Sequence, residues 1–156
     1  MANIKSKDKK VEKYLSYWQN HVSDAQFQKW CGDPDSPFKV HIRNLIYHNN
    51  YKSVLDCGAG TFSMYEGFKK DNFKFDLEYV ATEITPKYVK TGLKKGLNVH
   101  QCSIDEMPFE DDSFDCCLCL DVLNSQREYE KSIKEMVRIS KKAVIISFFK
   151  PFEEEI

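Results

Sequence analysis

Three observations predict an α/β fold: a doubly wound, mostly parallel sheet of about five strands, helices on both faces, and a helical cap at the N-terminus. Short apolar runs alternate with amphipathic stretches from Ser53 to Phe149. Several of those runs, "FDCCLCLDVL" (114–123) and "AVIISFF" (143–149) among them, are apolar at successive positions, as strands covered on both faces must be. The run "SVLDC" (53–57) gives way at once to Gly58-Ala59-Gly60 and then to a helical pattern, so a strand stops abruptly and a helix begins.

The elements follow in order. Residues 1–10 read as a flexible, solvated tail. Val11, Tyr14, Leu15, Trp18, Val22 and Phe27 recur near helical spacing and predict a helix from Val11 to Trp30, which "CGDPDSP" (31–37) breaks. A second helix is expected over Pro37–His48, with Ser36 as N-cap and Pro37 at its first position. Residues 11–50 thus form the cap and 51–156 the core. In the core, strands are expected at 53–57, 77–83, 97–102, at the start of 114–123 and at 143–149, and helices at 61–70, 86–95 and 127–140.

Composition narrows the function classes. The 156 residues suit one domain, and the net charge of −1 creates no field toward nucleic acid or a membrane surface. Lysines number 20 and arginines 3, so few bidentate forks exist for phosphate, and a nucleic-acid partner is disfavoured. No apolar run approaches the ~18 residues of a membrane span. The start "MANIKSKDKKVEK" lacks the apolar region of a secretory signal. Of the six cysteines, Cys116, Cys117 and Cys119 crowd one strand where neighbours face opposite ways, and Cys31, Cys57 and Cys102 lie apart. That arrangement predicts reduced, buried thiols and a cytoplasmic location rather than a disulfide framework. The Cys116–Cys119 spacing has no second ligand pair, and His21, His41, His48 and His100 show no ligand spacing, so no metal is expected.

The glycine turn is the candidate site. In open α/β sheets a ligand sits beyond the carboxyl ends of the strands, where strand order switches. Gly58 and Gly60 permit a sharp turn and close backbone approach, and the next helix directs its N-terminal N–H groups at an anion. Glu83, at the end of the second strand, can accept hydrogen bonds from two ribose hydroxyls. These features fit a dinucleotide or an adenosyl cofactor equally. Ser63 stands where a dinucleotide fingerprint requires its third glycine, and bulky Phe62 is awkward beside a pyrophosphate.

Four segments, in order, carry a resemblance: "VLDCGAG", "YVATEIT", "MPFEDDSFD" and "YEKSIKEMVRISKKAVIIS". The stretch Ser53–Phe149 resembles the class I S-adenosylmethionine-dependent methyltransferases, of the broad family typed by ubiquinone-biosynthesis-like enzymes. The resemblance implies a Rossmann-like core, S-adenosyl-L-methionine as cofactor and methyl transfer as the reaction. It implies that Asp56, Gly58, Ala59 and Gly60 hold the methionine part, that Glu83 binds the ribose hydroxyls and that Ile84 lies on one adenine face. Ser103 and Ile104 fall where the family reads the adenine edge. Leu120 lines the cofactor, and Asp121 with Asn124 faces the acceptor.

The sequence departs from that pattern in places. Ser103 replaces the usual aspartate, which shifts adenine reading to the Ile104 N–H or to Asp105. Phe62 replaces a frequent glycine, and Ser125 a frequent histidine. The chain stops at Ile156, before the helix and antiparallel hairpin that usually close the sheet, which implies a minimal form, a partner that covers strand five or a truncated chain, and an uncovered strand-five edge favours a homo-oligomer. "LDVLNS" is not the motif of DNA amino-methylation, and no Pro-Cys pair supports cytosine C5 chemistry. The expected acceptor is a small molecule, with a peptide or protein as the other option. Two rivals differ in class. One is a non-catalytic cofactor-binding subunit that works with a partner, and the other is a nucleotide-dependent oxidoreductase with a degenerate glycine loop.

Overall fold

The computed structural model describes residues 23–73, 76–126 and 128–148. The expected tail, the part of the expected first helix before Ser23 and Phe149 of the expected fifth strand lie outside them. Helix α1 (Asp24–Cys31) is capped by Ser23, whose hydroxyl accepts the Gln26 N–H at 3.2 Å. Helix α2 (Pro37–His48) begins where the Ser36-Pro37 pair predicts, although the Ser36 side chain makes no capping bond. The core then runs β1 (Ser53–Cys57), α3 (Ser63–Lys70), β2 (Glu78–Glu83), α4 (Pro86–Lys94), β3 (Val99–Gln101), β4 (Phe114–Leu120), α5 (Glu130–Ile139) and β5 (Ser140–Ser147).

The sheet order is β3-β2-β1-β4-β5, and every pairing is parallel. Order reverses between β1 and β4, so the switch point lies at the carboxyl ends of those two strands. β5 begins three residues before its expected start. Lys141 and Lys142 are exposed at the head of this edge strand, so the ladder includes residues that an apolar pattern does not show. β3 is short for its five-residue-plus expectation because only Val99–Gln101 find partners on β2.

The period-two alternation of buried strands divides the core into two layers. Val54, Tyr79, Ala81, Cys116 and Leu118 face Ile42, Ile46 and Tyr47 of α2 and Met64 and Phe68 of α3. Leu55, Val80, Cys117 and Cys119 face Met136 and Ile139 of α5 and the loop residues Ile104 and Met107. Cys57, Cys116, Cys117 and Cys119 are buried and unpaired, as their crowding on opposite faces predicts. Among the described residues no helix is long and apolar enough to cross a membrane, and no group of side chains could hold a metal.

Two guanidinium anchors, buried Arg43 and half-buried Arg138, fix loops to this frame. Arg43, only 4% exposed, donates to Asp71 at 2.8 Å and to the Pro34 carbonyl at 2.5 Å, which ties the α1–α2 connection to the end of α3. Tyr47 donates to the same Asp71 carboxylate at 2.7 Å. Gly67 is required beneath Arg43, since a Cβ there would stand 2.3 Å from its Nη1. On the opposite face Arg138 donates to the Phe109 carbonyl and to Asp111, both at 2.8 Å. Glu135 accepts the Met107 N–H at 2.9 Å. The Arg138 hydrogen bonds hold the Glu135 carboxyl below its usual range. The E-x-x-R pattern of "KEMVR" is thus a clasp on the loop that leads from β3 to β4.

Phe62 resolves differently from its expected awkwardness. It adopts a left-handed backbone (φ 63°), and its side chain is fully buried in the α2–α3 layer. The ring lies over Gly92 of α4, where a Cβ would stand 2.6 Å from Phe62 Cζ and 2.7 Å from Val99 Cγ2. Phe62 therefore fills the space beneath α4 instead of the ligand side of the turn. We expect Gly92→Ala to destabilise the fold by about 1–3 kcal/mol through overpacking at this contact, measured by urea unfolding. A variant as stable as the parent would contradict the packing described.

Candidate active site

A cavity of about 270 Å³ opens at the switch point. The glycine turn, the ends of β2 and β4 and the loop after β3 form its walls, and the α1–α2 connection covers it. Asp56, Gly58, Ala59, Gly60, Glu83, Ile84, Ser103, Ile104, Leu120 and Asp121 all line it. Asn124 does not; it sits exposed on the short 3₁₀ turn Leu123–Ser125.

Glu83 is the organising group. It is 6% exposed, and both carboxylate oxygens accept backbone N–H donors. Oε2 takes Gly60 N at 2.8 Å, and Oε1 takes Ile84 N at 2.9 Å and Thr85 N at 2.8 Å. Of the roughly four lone-pair sites of an ionised carboxylate, three are thus taken and one, on Oε2, remains. The Gly58 and Ala59 N–H groups both donate to the Thr82 carbonyl at 2.9 Å. The turn thus directs its three N–H groups at β2, not at an anion in the cavity. The expected anion donors, the first N–H groups of α3, are a separate set, and Thr61, Ser63 and Met64 line the cavity there. Gly58 has φ 74°, and a Cβ on it would stand 2.7 Å from Val122 Cγ2, so glycine is required there for the turn and for packing.

Asp56 forms the floor. It is 4% exposed and accepts the Tyr79 hydroxyl at 2.6 Å. Burial pushes its carboxyl up to about 6, Tyr79 opposes the shift and the Glu83 charge adds to it. Tyr79 is itself held well above its usual value, by burial first and then by Asp56, and so remains a donor. Ser103 donates to Asp105 at 2.5 Å, and Asp105 pairs with Lys131 at 3.6 Å. Asp105 is not among the lining residues, so the Ser103-Asp105 pair braces the loop while Ile104 lies against the cavity.

At the end of β4, Asp121 takes a left-handed backbone (φ 60°) and is exposed at the rim. The Ser147 hydroxyl of β5 donates to Asp121 Oδ1 at 2.8 Å and fixes the carboxylate.

The cap contributes residues that sequence reasoning missed: Cys31, Asp33, Ser36, Phe38 and Lys39, together with Gln126 from the loop after β4 and Tyr88 of α4. The available signal was the polar Asp-Pro-Asp-Ser-Pro break between two helices, the kind of loop that carries function on a rigid scaffold. Lys39 is the lone cation of the described lining. It donates to the Cys31 carbonyl at 2.5 Å and to the Asp33 carbonyl at 3.0 Å, which leaves a third N–H. Burial lowers its pKa, and nearby groups including Asp33, Asp56 and Asp121 oppose that shift.

The methyltransferase domain family matches residues 55–148, which span the glycine turn, Glu83, the β3–β4 loop and β5. The chain belongs to that family. An uncharacterized protein of Methanocaldococcus jannaschii (MJ1123) is 26% identical to this methyltransferase domain over 117 residues, 75% of the chain and 53% of the relative. The chain thus spans about half the length of the curated relative it matches. A SAM-dependent methyltransferase from Aquifex aeolicus superposes with a TM-score of 0.59 at 19% identity, covering 86% of this chain and 77% of that one. The PH0226 protein of Pyrococcus horikoshii gives 0.58 at 19% identity, with 85% and 65% covered. Both structures share the Rossmann-like fold of this class I methyltransferase domain.

S-adenosylmethionine is the cofactor of this class, and the lining fits it. Glu83 could offer its remaining acceptor site to a ribose hydroxyl, Asp56 a carboxylate to an ammonium, and Ile84, Ile104 and Leu120 an apolar wall to a base and a thioether. For a pyrophosphate the described lining is poor in positive charge, since Lys39 alone supplies it beside four carboxylates.

The raised Asp56 carboxyl has a consequence for stability. Well below the ordinary aspartate value of about 3.9, Asp56 is protonated in both folded and unfolded chains and imposes no penalty. As pH rises from there to about 6, the unfolded chain ionises first, so the folded state loses stability until Asp56 itself ionises. Asp56→Asn removes that loss. We expect the urea stability of the variant, relative to the parent, to rise between pH 4 and 6 and level off above. A pH-independent difference would place Asp56 at an ordinary value.

Proposed function

We propose that this chain is the catalytic domain of an S-adenosylmethionine-dependent methyltransferase that acts on a small-molecule acceptor. One observation supports the reading most: the buried carboxylates of Asp56 and Glu83 line a cavity whose one described cation is Lys39, an acceptor set for ribose hydroxyls and an ammonium rather than a donor set for phosphate. The acceptor reading rests on the cap, whose Phe38, Asp33 and Lys39 give the cavity a wall beyond the strand ends. That additional wall favours catalysis over simple cofactor storage.

When bound, the cofactor supplies a methyl group made electrophilic by its sulfonium. The domain's residues then have positioning work to do, since an in-line displacement needs nucleophile and methyl carbon aligned within ~3–3.5 Å and water kept out. Glu83 accepts from a ribose hydroxyl through the remaining site on Oε2 while it holds both flanking turns in place. Asp56 faces the ammonium of the methionine part, and the third N–H of Lys39 faces its carboxylate. Gly58, Ala59 and Gly60 let the backbone pass close to that part. Ile84 and Ile104 sandwich the adenine, Ser103 braces the Ile104 loop, and Leu120 lies against the sulfur side. Asp121, fixed by Ser147, holds the acceptor. Asn124 stands off the lining and is not given a role here.

The first test is calorimetric titration of the intact chain with S-adenosylmethionine, S-adenosylhomocysteine and NAD. Both adenosyl ligands are expected to bind and NAD is not; preferential binding of NAD would sink the proposal. Glu83→Gln should weaken S-adenosylhomocysteine binding by at least about tenfold, the scale of a hydrogen bond to a charged group at ~1.5–3 kcal/mol.

Acid should act through Asp56. A cationic ammonium prefers the ionised carboxylate, so the affinity for S-adenosylhomocysteine is expected to hold above the Asp56 value of about 6 and to fall as pH drops through it. Asp56→Asn should bind more weakly at neutral pH and lose this dependence. A parent profile that stays flat down to pH 5 would remove Asp56 from the ammonium site.

A further inference from the structure

From the charges of the lining we infer that the acceptor is an amine, cationic in solution and carried on a small apolar body; the inference rests on the methyl-transfer reading above. The described lining holds four carboxylates, Asp33, Asp56, Glu83 and Asp121, against the single ammonium of Lys39. On that reading Asp56 and Glu83 serve the cofactor, which itself brings one net positive charge. Asp33 and Asp121 then remain on the acceptor side. Both are exposed at the rim, Asp121 fixed by Ser147 and Asp33 placed on the connection that Arg43 anchors.

This arrangement selects against anions and for cations. No arginine or histidine lines the cavity among the described residues, so a carboxylate or phosphate acceptor would find no fork and would meet like charge. Phe38, 46% exposed at the same rim, offers an aromatic face to a cation. Met64, Leu120 and Val122 supply an apolar wall for the body that carries it.

The chemistry points the same way. A hydroxyl acceptor needs a strong base during attack, and the lining offers no histidine. An ammonium needs only to release one proton, and a carboxylate beside it, Asp121, can pass that proton to solvent. The nitrogen lone pair then forms the N–C bond to the methyl carbon as the C–S bond breaks, with its electron pair kept by sulfur. The products are the methylated ammonium, the neutral thioether and one proton per turnover.

The test uses the full chain saturated with S-adenosylhomocysteine and three isosteric probes: benzylamine, benzyl alcohol and benzoate, titrated by ligand-observed NMR at low salt. Benzylamine is expected to bind at least about tenfold more tightly than either of the others. Asp121→Asn should cut that preference several-fold. If this variant does not fold, Asp33→Asn carries the same expected direction. Equal or tighter binding of benzoate or benzyl alcohol would overturn the inference. S-adenosylhomocysteine binding is measured first and alone. Its absence would sink the methyl-transfer reading and this inference with it, whereas normal binding without an amine preference would sink only this inference.

Discussion

The Glu83 carboxylate holds the cavity together. It stands at the end of β2, and its acceptors reach Gly60 on the turn after β1 and Ile84 and Thr85 on the turn after β2. Two loops that share no sequence are thereby locked to one another by charge-assisted hydrogen bonds, which are roughly twice as strong as neutral ones. A buried carboxylate needs such partners, and the turns need an acceptor for their outward N–H groups. Each requirement is met by the other, so the cavity has its form before any ligand arrives. Preorganisation of this kind lowers the cost of ordering a site on binding.

The rest of the site is secured from outside by the two described arginines. Arg43 pins the cap connection through Pro34 and Asp71, and Arg138 pins the β3–β4 loop through Phe109 and Asp111. In a chain with 20 lysines and 3 arginines this placement has a physical reason. A planar guanidinium can serve several carbonyl and carboxylate acceptors at once, while an ammonium acts as a compact point charge. The lysines lie mostly at the surface; the exception in the cavity, Lys39, also uses its separate N–H groups on two carbonyls.

Much of this was legible in the sequence. Strands apolar on both faces gave their positions directly, and the Ser36-Pro37 pair marked the start of α2. The glycine turn and Glu83 marked the switch point, and the family resemblance assigned them a cofactor. Three things were not legible. Charged Lys141 and Lys142 concealed the head of β5, since an edge strand needs no apolar side chains to pair. The left-handed turn at Phe62 hides in a residue type that rarely adopts it, and only the space above Gly92 explains its ring. The contribution of the cap depends on tertiary docking by Arg43, which no local pattern announces, so Asp33, Phe38 and Lys39 were seen only once the chain was folded.

The direction of the glycine-turn N–H groups bears on selectivity inside a cell. Most adenosine there is carried on phosphate chains, as nucleoside triphosphates and dinucleotides. Those molecules share the adenine and ribose that Glu83 and the apolar wall would accept. They part from an adenosyl sulfonium only at the 5′ side, where the Gly58, Ala59 and Gly60 N–H groups are already engaged and Asp56 would meet the approaching group with negative charge. On the proposed reading, the fold discriminates by what it declines to provide. Phosphorylated competitors would meet a turn in which the Gly58 and Ala59 N–H groups are held by a backbone carbonyl and that of Gly60 by the Glu83 side chain, so one side chain tunes this discrimination.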